Sequence, residues 1–322
     1  MQQRARRGIL NTMIDTVIIL LTTYNGEKYI AEQIESIIEQ DYMKWKLIIS
    51  DDCSTDNTFV ICKSYEKTDK RISVQQQKEN QGALKNFSKL IQFAKIYFHE
   101  KYFMFSDQDD VWNKDKISSC ITKIKEEEEN IPLLLYTSKQ YVNENLLKLN
   151  INIRDEGKIK LSKLLHQNMG YGCTMLFNDK LVKLLADIPK EFINHDHYVM
   201  VMAYLFGTII FYPQKTLLYR QHSHNVSGNV YRSALNKICS RNNMRENVKL
   251  FFFLIVFCYK YREHLNKEEK KMIVDIHKKN SMLFMYYILV YKIRKNTLLS
   301  TFNFYVEIIG ALFNSKFWKS QE

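Results

Sequence analysis

Glycine and proline are scarce in this chain, with 9 Gly and 3 Pro among 322 residues. That scarcity excludes collagen-like and low-complexity classes, and a composition of 46% hydrophobic and 25% charged residues predicts a folded protein. At roughly 100–200 residues per domain, the length fits one large domain, or one domain with a smaller appendage.

Cysteine is also infrequent, and none of the six cysteines forms a C-x-x-C pair. This pattern excludes a zinc ribbon and a redox dithiol. Because a long chain with few cysteines does not need a disulfide scaffold, we expect a reducing, cytoplasmic compartment.

Long apolar runs are missing too. The strongest runs, residues 250–259 and 282–291, have ten residues each, about half of the ~20 that a helix needs to cross a bilayer. The first run, residues 17–21, is too short for a signal-peptide core and predicts a strand. Since Met13 precedes that strand by four residues, residues 1–12 are interpreted as a cloning or upstream extension.

Positive charge is concentrated at the C-terminal end of the chain. The net charge is +12, and residues 231–322 carry 17 Lys/Arg against 7 Asp/Glu, a net of +10. Because a nucleic-acid protein would spread basic charge over its recognition surface, we expect no nucleic-acid partner. The tail predicts either basic, amphipathic helices in an anionic membrane interface or helices packed on the rest of the protein with a solvated basic face.

Short β-rich runs alternate with helical patterns over the first 140 residues, which predicts an α/β fold with a parallel, doubly wound sheet. Neither G-x-G-x-x-G nor a P-loop motif is present, so a different nucleotide site is required. The predicted strands are 17–21, 46–50, 72–76, 102–106 and 133–137, and the predicted helices are 28–40, 56–67, 83–98 and 113–126.

The pattern changes after residue 140. It predicts a strand at 172–177, a helix at 196–206, a strand pair at 208–212 and 216–221, and a helical region beyond about 235.

Acidic residues follow the predicted strands, where ligands bind in sheets of this kind. Asp107, Asp109 and Asp110 come directly after the strand at 102–106. Like charges placed so closely repel unless a cation neutralises them, and oxygen ligands suit Mg²⁺ or Mn²⁺ on a diphosphate. The alternative is an Asp-rich turn that caps a helix.

Two other loops add to the same prediction. Asp51 and Asp52 end a strand and open a helix, so one carboxylate can accept a hydrogen bond from a nucleobase, although helix capping also explains them. The loop with Thr22, Tyr24 and Glu27 follows the first strand. Together the three loops favour a nucleotide site.

Arg220 and His222 lie one residue apart on a predicted strand, so their side chains project to the same face. The Arg220 guanidinium could pair with phosphate oxygens, and His222 could contact the diphosphate or complete a metal shell. An ordinary surface strand is the alternative.

Four segments carry a resemblance to a known family. LTTYNGEKYI (21–30), SDDCSTDNT (50–58), SDQDDVW (106–112) and YRQH (219–222) together resemble a bacterial family 2 glycosyltransferase of the rhamnosyltransferase-like branch. The resemblance runs from about Thr16 to Gly228, which predicts a catalytic domain at 13–230 and a separate basic helical region at 231–322.

The resemblance implies a GT-A fold and an inverting, metal-dependent transfer from a nucleotide sugar. It implies that Asp52 binds the pyrimidine, that the loop of Thr22, Tyr24 and Glu27 lines the nucleotide, and that Asp107 and Asp109 handle ribose and metal, with Asp109 the first choice as metal ligand. The nucleotide-sugar site is therefore expected to comprise Thr22, Tyr24, Glu27, Asp51, Asp52, Asp107 and Arg220, and the metal site Asp109, Asp107 and His222.

Asp196 matches the family's catalytic base, which removes the acceptor proton. From composition alone, a helix-capping Asp between two solvated histidines explains it as well. Two positions depart from the family pattern: Cys53 stands where Gly is usual and could strain a turn, and His197 stands where this branch commonly has Trp.

The expected function is transfer of a sugar, L-rhamnose from dTDP-rhamnose, to a cell-surface polysaccharide or lipid-linked glycan at the inner face of the plasma membrane. Alternatives are a UDP-dependent hexosyl or N-acetylhexosaminyl transferase and a non-catalytic glycan-binding protein.

Overall fold

The computed structural model describes residues 15–151, 159–222 and 241–277, with Tyr305 and Ile308. The extension at 1–12 and the apolar run at 282–291 lie outside these residues. Eight strands form one sheet: β1 (Val17–Thr23), β2 (Trp45–Asp51), β3 (Ile72–Gln76), β4 (Tyr102–Ser106), β5 (Val111–Trp112), β6 (Leu133–Val142), β7 (Met175–Asn178) and β8 (Thr208–Arg220).

Nine α-helices and two 3₁₀ turns are present in the described residues. The helices are α1 (Ile30–Ile38), α2 (Thr58–Thr68), α3 (Ala83–Tyr97), α4 (Lys116–Ile124), α5 (Leu161–Leu164), α6 (Asp179–Leu184), α7 (His195–Phe206), α8 (Arg241–Lys260) and α9 (Lys267–His277), and the 3₁₀ turns are Gly172–Thr174 and Arg262–His264.

The sheet has the order β3-β2-β1-β4-β7-β6-β8-β5. The pairs β1–β2, β2–β3, β1–β4 and β6–β8 are parallel, whereas β7 is antiparallel to both β4 and β6 and β5 is antiparallel to β8. The predicted class, an α/β fold with a mostly parallel sheet, is confirmed, but the sheet is mixed.

Two strand predictions need correction. The strand pair expected at 208–221 is one strand, β8, which pairs with β6 along its length. Pro213 and Gln214 bulge out of the ladder, because Tyr212 pairs with Thr137 and the next pair is Lys215 with Ser138. The strand expected at 172–177 begins only at Met175, after the 3₁₀ turn.

Alternation along the strands divides the core into two layers. Ile18 and Leu20 of β1 pack on one face with α3, α6, α7 and α8, and Ile19 and Leu21 pack on the other with α1 and α4. Each face of the sheet is covered by helices, as successive side chains on a strand point in opposite directions.

Helix α8 carries the first of the two C-terminal apolar runs into the core. Phe251 and Leu254 are 0% exposed and Cys258 is 1% exposed, all within the layer that contains α7. The side of α8 with Val256 faces solvent. No helix among the described residues is both long and apolar enough to cross a membrane.

We expect Phe251→Ala to lower the free energy of unfolding by about 3–5 kcal/mol, because it leaves a cavity between α8 and the sheet layer. Val256→Ala, a matched truncation on the exposed side of the same helix, should change it by less than ~0.5 kcal/mol. Urea denaturation measures both, and equal effects would contradict the packing of α8 into the core.

Candidate active site

The polar loops meet at one edge of the sheet. The carboxyl ends of β1, β2, β4, β6 and β8 lie at this edge because these strands run in the same direction. Strand β7 runs the other way, so its amino end, with the 3₁₀ turn before it, reaches the same edge.

Gln108 joins the loop after β1 to the acidic motif after β4. The Thr23 hydroxyl donates to Gln108 Oε1 at 2.6 Å, the Tyr24 amide donates to the same oxygen at 2.8 Å, and Gln108 Nε2 donates back to the Tyr24 carbonyl at 3.2 Å. A Cβ on Gly26 would lie 2.5 Å from Gln108 Oε1, so glycine permits this close approach. The side chain of Tyr24 is 40% exposed, and Thr22 is buried at the end of β1.

Glu27 and Asp51 form local hydrogen bonds between the loops. Glu27 Oε2 accepts from the backbone and side-chain amides of Asn57 at 2.9 Å, before helix α2. Asp51, which is 0% exposed, accepts from the Ser54 amide at 2.9 Å and from Gln76 Nε2 at 3.0 Å. These contacts shape the loops, and a direct role toward a nucleotide stays a prediction for both residues.

Asp52 lies beside the start of α3. Its Oδ2 accepts from the Gly82 amide at 2.8 Å, and its Oδ1 accepts from the Gln81 amide at 3.1 Å. The neighbouring Cys53 has φ +64°, in the left-handed region that favours glycine. The strained turn expected at Cys53 is therefore present in the structure.

Asp107, Asp109 and Asp110 lie together at the end of β4, where Asp110 is buried and the other two are half-buried. Burial, followed by the charges of Asp109 and Asp196, raises the pKa of Asp107 to about 7. Burial, with the charges of Asp109 and Asp107, also raises the pKa of Asp110 well above its ordinary value. The protein therefore holds more carboxylates here than it can keep ionised without a counter-charge.

Cys173 completes this cluster. One ligand atom from each of Asp107, Asp110 and Cys173 lies within 4.8 Å of the others. Burial raises the pKa of the Cys173 thiol well above its ordinary value, so the group stays protonated, and as a donor beside the acids it partly offsets the raised pKa of Asp107 and Asp110. Asp110 Oδ2 is buried and has no hydrogen-bond partner among the described residues.

His222 contacts the second acid of the motif. Its Nε2 lies 2.7 Å from Asp109 Oδ2, and its ring packs on Tyr29 with centroids 5.0 Å apart. The side chains of Asp109 and His222 are 15% and 7% exposed. The structure thus brings together two of the three residues predicted for the metal site, and Asp107 lies close to Asp109.

Arg220 lies beneath the motif rather than along its open side. Its Nε donates to the Asp109 carbonyl at 2.9 Å, and its terminal nitrogens donate to the Glu144 carbonyl and to Glu32. The guanidinium also packs on the Tyr29 ring, 4.5 Å from the centroid. In this structure Arg220 supports the motif from within, and its contact with phosphate stays a prediction.

Asp196 lies in the first turn of α7 and is 8% exposed. Its Oδ2 accepts from the Gly172 amide at 3.2 Å, its Oδ1 accepts from the His197 amide at 2.8 Å, and the Asn168 side chain also donates to it. Burial raises its pKa to about 6 despite these donors. The carboxylate is a stronger base than an exposed aspartate and is still ionised at neutral pH.

The donor set fits a hard divalent cation. Asp107 would offer a carboxylate oxygen, Asp109 and His222, which contact each other, would offer an oxygen and a nitrogen, and Asp110 Oδ2 is a buried oxygen left without a partner in the described part of the chain. Mg²⁺ and Mn²⁺ prefer such oxygen-rich sets. The protonated Cys173 is better suited to hydrogen bonding than to binding such an ion.

The sequence matches the profile described as Glycosyl transferase family 2 over residues 18–185, more than half of the chain. The chain belongs to this family. It is therefore a glycosyltransferase that acts on nucleotide sugars.

Two relatives of this chain are named for different nucleotide sugars. The dTDP-rhamnosyl transferase RfbG of Shigella flexneri is 32% identical over 226 residues, which cover 65% of this chain and 73% of that protein. The UDP-Glc:alpha-D-GlcNAc-diphosphoundecaprenol beta-1,3-glucosyltransferase WfgD of Escherichia coli is 28% identical over 189 residues, covering 59% and 69%.

Solved structures of glycosyltransferases share the fold of this chain, which is the GT-A fold. S. aureus TarS 1–349 in complex with UDP-GlcNAc has a TM-score of 0.57 at 19% identity, covering 86% of this chain and 73% of that one. The mannosyltransferase PcManGT from Pyrobaculum calidifontis, in complex with GDP-Man and Mn²⁺, has a TM-score of 0.55 at 14% identity, covering 96% and 84%.

The sequence did not single out Asn168 and Cys173 as partners of the acidic residues. Cys173 lies in an apolar stretch beside β7, and only the antiparallel direction of that strand brings it to the acidic motif. Asp110 was visible in the D-x-D-D pattern, but its burial depends on the backbone of Arg220, whose amide donates to Asp110 Oδ1 at 3.2 Å.

Proposed function

We propose that this glycosyltransferase inverts the donor's anomeric centre and moves L-rhamnose from dTDP-rhamnose to a hydroxyl of a cell-surface polysaccharide or lipid-linked glycan. One observation carries the inverting mechanism. Asp196, a buried carboxylate with a raised pKa, lies close enough to Asp107 for its charge to raise the pKa of that acid. In the proposal, an acceptor-activating base and a donor-binding motif share one site.

Asp196 acts as the general base in this proposal. The acceptor oxygen attacks the anomeric carbon on the face opposite the diphosphate, and the bond between that carbon and the diphosphate oxygen breaks. The acceptor proton passes to the Asp196 carboxylate, and the nucleoside diphosphate leaves with the electron pair. A base with a pKa near 6 accepts this proton more readily than an ordinary aspartate does.

The other predicted site residues bind the donor. Asp52 accepts from the pyrimidine, Thr22 and Tyr24 line the nucleotide, and Asp107 contacts the ribose. Asp109, Asp107 and His222 would hold Mg²⁺ or Mn²⁺, which would supply positive charge to neutralise the leaving diphosphate. Arg220 keeps Asp109 in place, because its Nε donates to the backbone carbonyl of Asp109.

The choice of rhamnose is supported by the similarity to RfbG, which spans 73% of that protein. The second candidate is a UDP-dependent hexosyl or N-acetylhexosaminyl transferase, which the similarity to WfgD and the shared fold with TarS favour. A non-catalytic glycan-binding protein would not need Asp107, Asp109 and Asp196 at one site.

The donor is tested by the release of nucleoside diphosphate from dTDP-rhamnose, UDP-glucose and UDP-N-acetylglucosamine with Mn²⁺, Mg²⁺ or EDTA. We expect the highest rate with dTDP-rhamnose and no turnover in EDTA. Asp109→Asn should lower the rate about 10²–10³-fold, because charge on the leaving group is no longer neutralised.

Asp41→Asn, which neutralises an exposed carboxylate outside the site, is the matched control and should keep the wild-type rate. Wild-type turnover in EDTA, or by Asp109→Asn, would refute the metal-dependent mechanism. A preference for a UDP-sugar would replace the rhamnose assignment by the second candidate.

The base is tested by Asp196→Asn. We expect transfer to fall about 10²–10⁴-fold while calorimetry shows unchanged donor affinity, because the base acts on the acceptor proton alone. For the wild type, kcat/KM should fall about tenfold per pH unit below pH 6, where the carboxylate of Asp196 becomes protonated. Asp187→Asn, an exposed control, should keep both properties, whereas weakened donor binding with intact transfer in Asp196→Asn would move Asp196 into the donor pocket.

We further infer that the basic tail brings the enzyme to the anionic inner face of the plasma membrane. Residues 231–322 carry a net charge of +10, and the apolar run at 282–291 is followed by Lys292, Arg294 and Lys295. Basic residues near an anionic surface contribute ~1 kcal/mol each. Because α8 and α9 both place side chains in the core, the proposal assigns this role to the apolar run at 282–291 and the basic residues that follow it.

We expect the full chain to co-sediment with vesicles that contain anionic lipid, and less so as salt screens the charges. Changing Lys292, Arg294 and Lys295 to Gln should weaken binding about 10- to 100-fold. The control changes three exposed lysines of the catalytic domain, Lys44, Lys67 and Lys70, to Gln. Equal binding by the two variants, or none by the wild type, would contradict membrane attachment through the tail.

A further inference from the structure

We propose that residues 168–173 form a positioning segment, which fixes Asp196 relative to the acids of the D-x-D-D motif. Asn168 and Gly172 are its contacts to Asp196, and Cys173 is its contact to Asp107 and Asp110. The inference rests on the proposed role of Asp196 as the base, and it adds positioning residues that do not touch the reacting atoms.

The first end of the segment contacts the carboxylate of the base. The Gly172 amide donates to Asp196 Oδ2 at 3.2 Å, and the Asn168 side chain donates to the same carboxylate. The Gly170 amide donates to Asn168 Oδ1 at 3.2 Å. Because that oxygen is occupied, the amide nitrogen of Asn168 is the atom that faces Asp196.

The second end of the segment holds the acidic motif. Cys173 follows Gly172 directly and is 0% exposed, and its sulfur lies within 4.8 Å of a carboxylate oxygen of Asp107 and of Asp110. Two consecutive residues therefore contact the two halves of the site, with the amide of one on Asp196 and the side chain of the next on the motif. Any displacement of this turn moves both contacts together.

Close packing keeps the turn in place. A Cβ on Gly172 would lie 2.5 Å from His195 Nε2, so only glycine allows the turn to approach α7 this closely. The His195 ring cannot easily yield, because it stacks on Phe87 with centroids 3.7 Å apart and meets Phe105 edge-on at 4.8 Å. On the other side, the Lys139 ammonium lies 3.3 Å from the ring centroid of Tyr171.

The consequence for the reaction is geometric and electrostatic. A base must lie within ~2.6–3.2 Å of the oxygen whose proton it removes, and a misplacement of about 1 Å can cost ~10²-fold in rate. Donors to the carboxylate also favour its charged form, so their loss raises its pKa further.

Few other charged groups face Asp196 in the described residues. Asp107 faces it from the end of β4, where the charge of Asp196 adds to the raised pKa of Asp107. Burial lowers the pKa of His195 to about 3, so this ring is neutral, and the ring of His197 contacts the Leu164 carbonyl at 2.7 Å. If the hydrogen-bond donors of residues 168–173 are lost, none of these groups is a cation that could stabilise the Asp196 carboxylate in their place.

The test is Asn168→Ala in the full chain, with transfer measured across pH. We expect kcat to fall about 10- to 100-fold, the acid limb of kcat/KM to move to higher pH, and the donor affinity to stay at the wild-type value. Asn130→Ala, which removes an exposed amide from a loop outside the site, should leave all three unchanged. A structural role alone would lower activity without moving the pH profile.

Three results would overturn the inference: wild-type kcat in Asn168→Ala, a lower kcat with an unmoved acid limb, or a rise in acceptor KM alone, which would make the segment an acceptor contact. If Asn168→Ala does not fold, Cys173→Ala against Cys173→Ser decides, because serine keeps a donor hydrogen. We expect the serine variant to be at least tenfold more active, and equal activity would refute the inference.

Failure of the proposed function has a different signature. If Asp196→Asn transfers sugar at the wild-type rate, Asp196 is not the base, whatever Asn168→Ala shows. If Asp196→Asn is inactive and Asn168→Ala behaves as the wild type, the base role of Asp196 is supported and the positioning role of residues 168–173 is refuted.

Discussion

Repulsion among carboxylates at one edge of the sheet is the constraint on which the rest of this site depends. Asp107 and Asp110 lie where burial and neighbouring negative charges raise the pKa of each. Unpaired buried charge is costly, and the folded chain tolerates it because two apolar layers on the sheet supply stabilisation elsewhere. Because these acids lack a positive counter-charge, the site favours a ligand that brings a cation with it.

The fold gathers these groups through strand direction. Parallel strands place the ends of β1, β2 and β4 side by side, so residues distant in sequence meet at one edge. The antiparallel strand β7 is the exception that completes the site, because it presents its amino end there and brings Gly172 and Cys173 to the acids. An all-parallel sheet would have placed that turn at the opposite edge.

Most helices and strands were predictable from the sequence because their apolar periodicity is strong. The direction of β7 could not be predicted, since the apolar pattern of a four-residue strand is the same whether it runs parallel or antiparallel to its neighbours. The bulge in β8 was also missed: two strands were predicted, at 208–212 and 216–221, whereas the ladder with β6 continues past Pro213. Local patterns cannot reveal which neighbour a strand will pair with.

The residues of the site could be predicted to about the same extent as the fold. The acids could be found because each follows a strand, and the strained turn at Cys53 could be found because a side chain replaces an expected glycine. The inward direction of Arg220 could not be predicted, because it depends on Glu32 and Tyr29, which lie far away in sequence. Sequence spacing placed Arg220 and His222 on one face, but long-range contacts determine which atoms each side chain meets.

The cause of each raised pKa bears on the proposal that one site both binds a cation and supplies a base. A cation bound to the motif lowers the pKa of a neighbouring acid, so a base that owed its strength to nearby negative charge would weaken when the donor arrives. Asp107 is subject to this effect, since the charges of Asp109 and Asp196 add to its burial. For Asp196 the raising cause is burial itself, while its hydrogen-bond donors lower the pKa only in part. A cation held at Asp107 would also lower the pKa of Asp196 by charge, but the burial that raises this pKa would remain, so in the proposed mechanism Asp196 stays a stronger base than it would be without that burial.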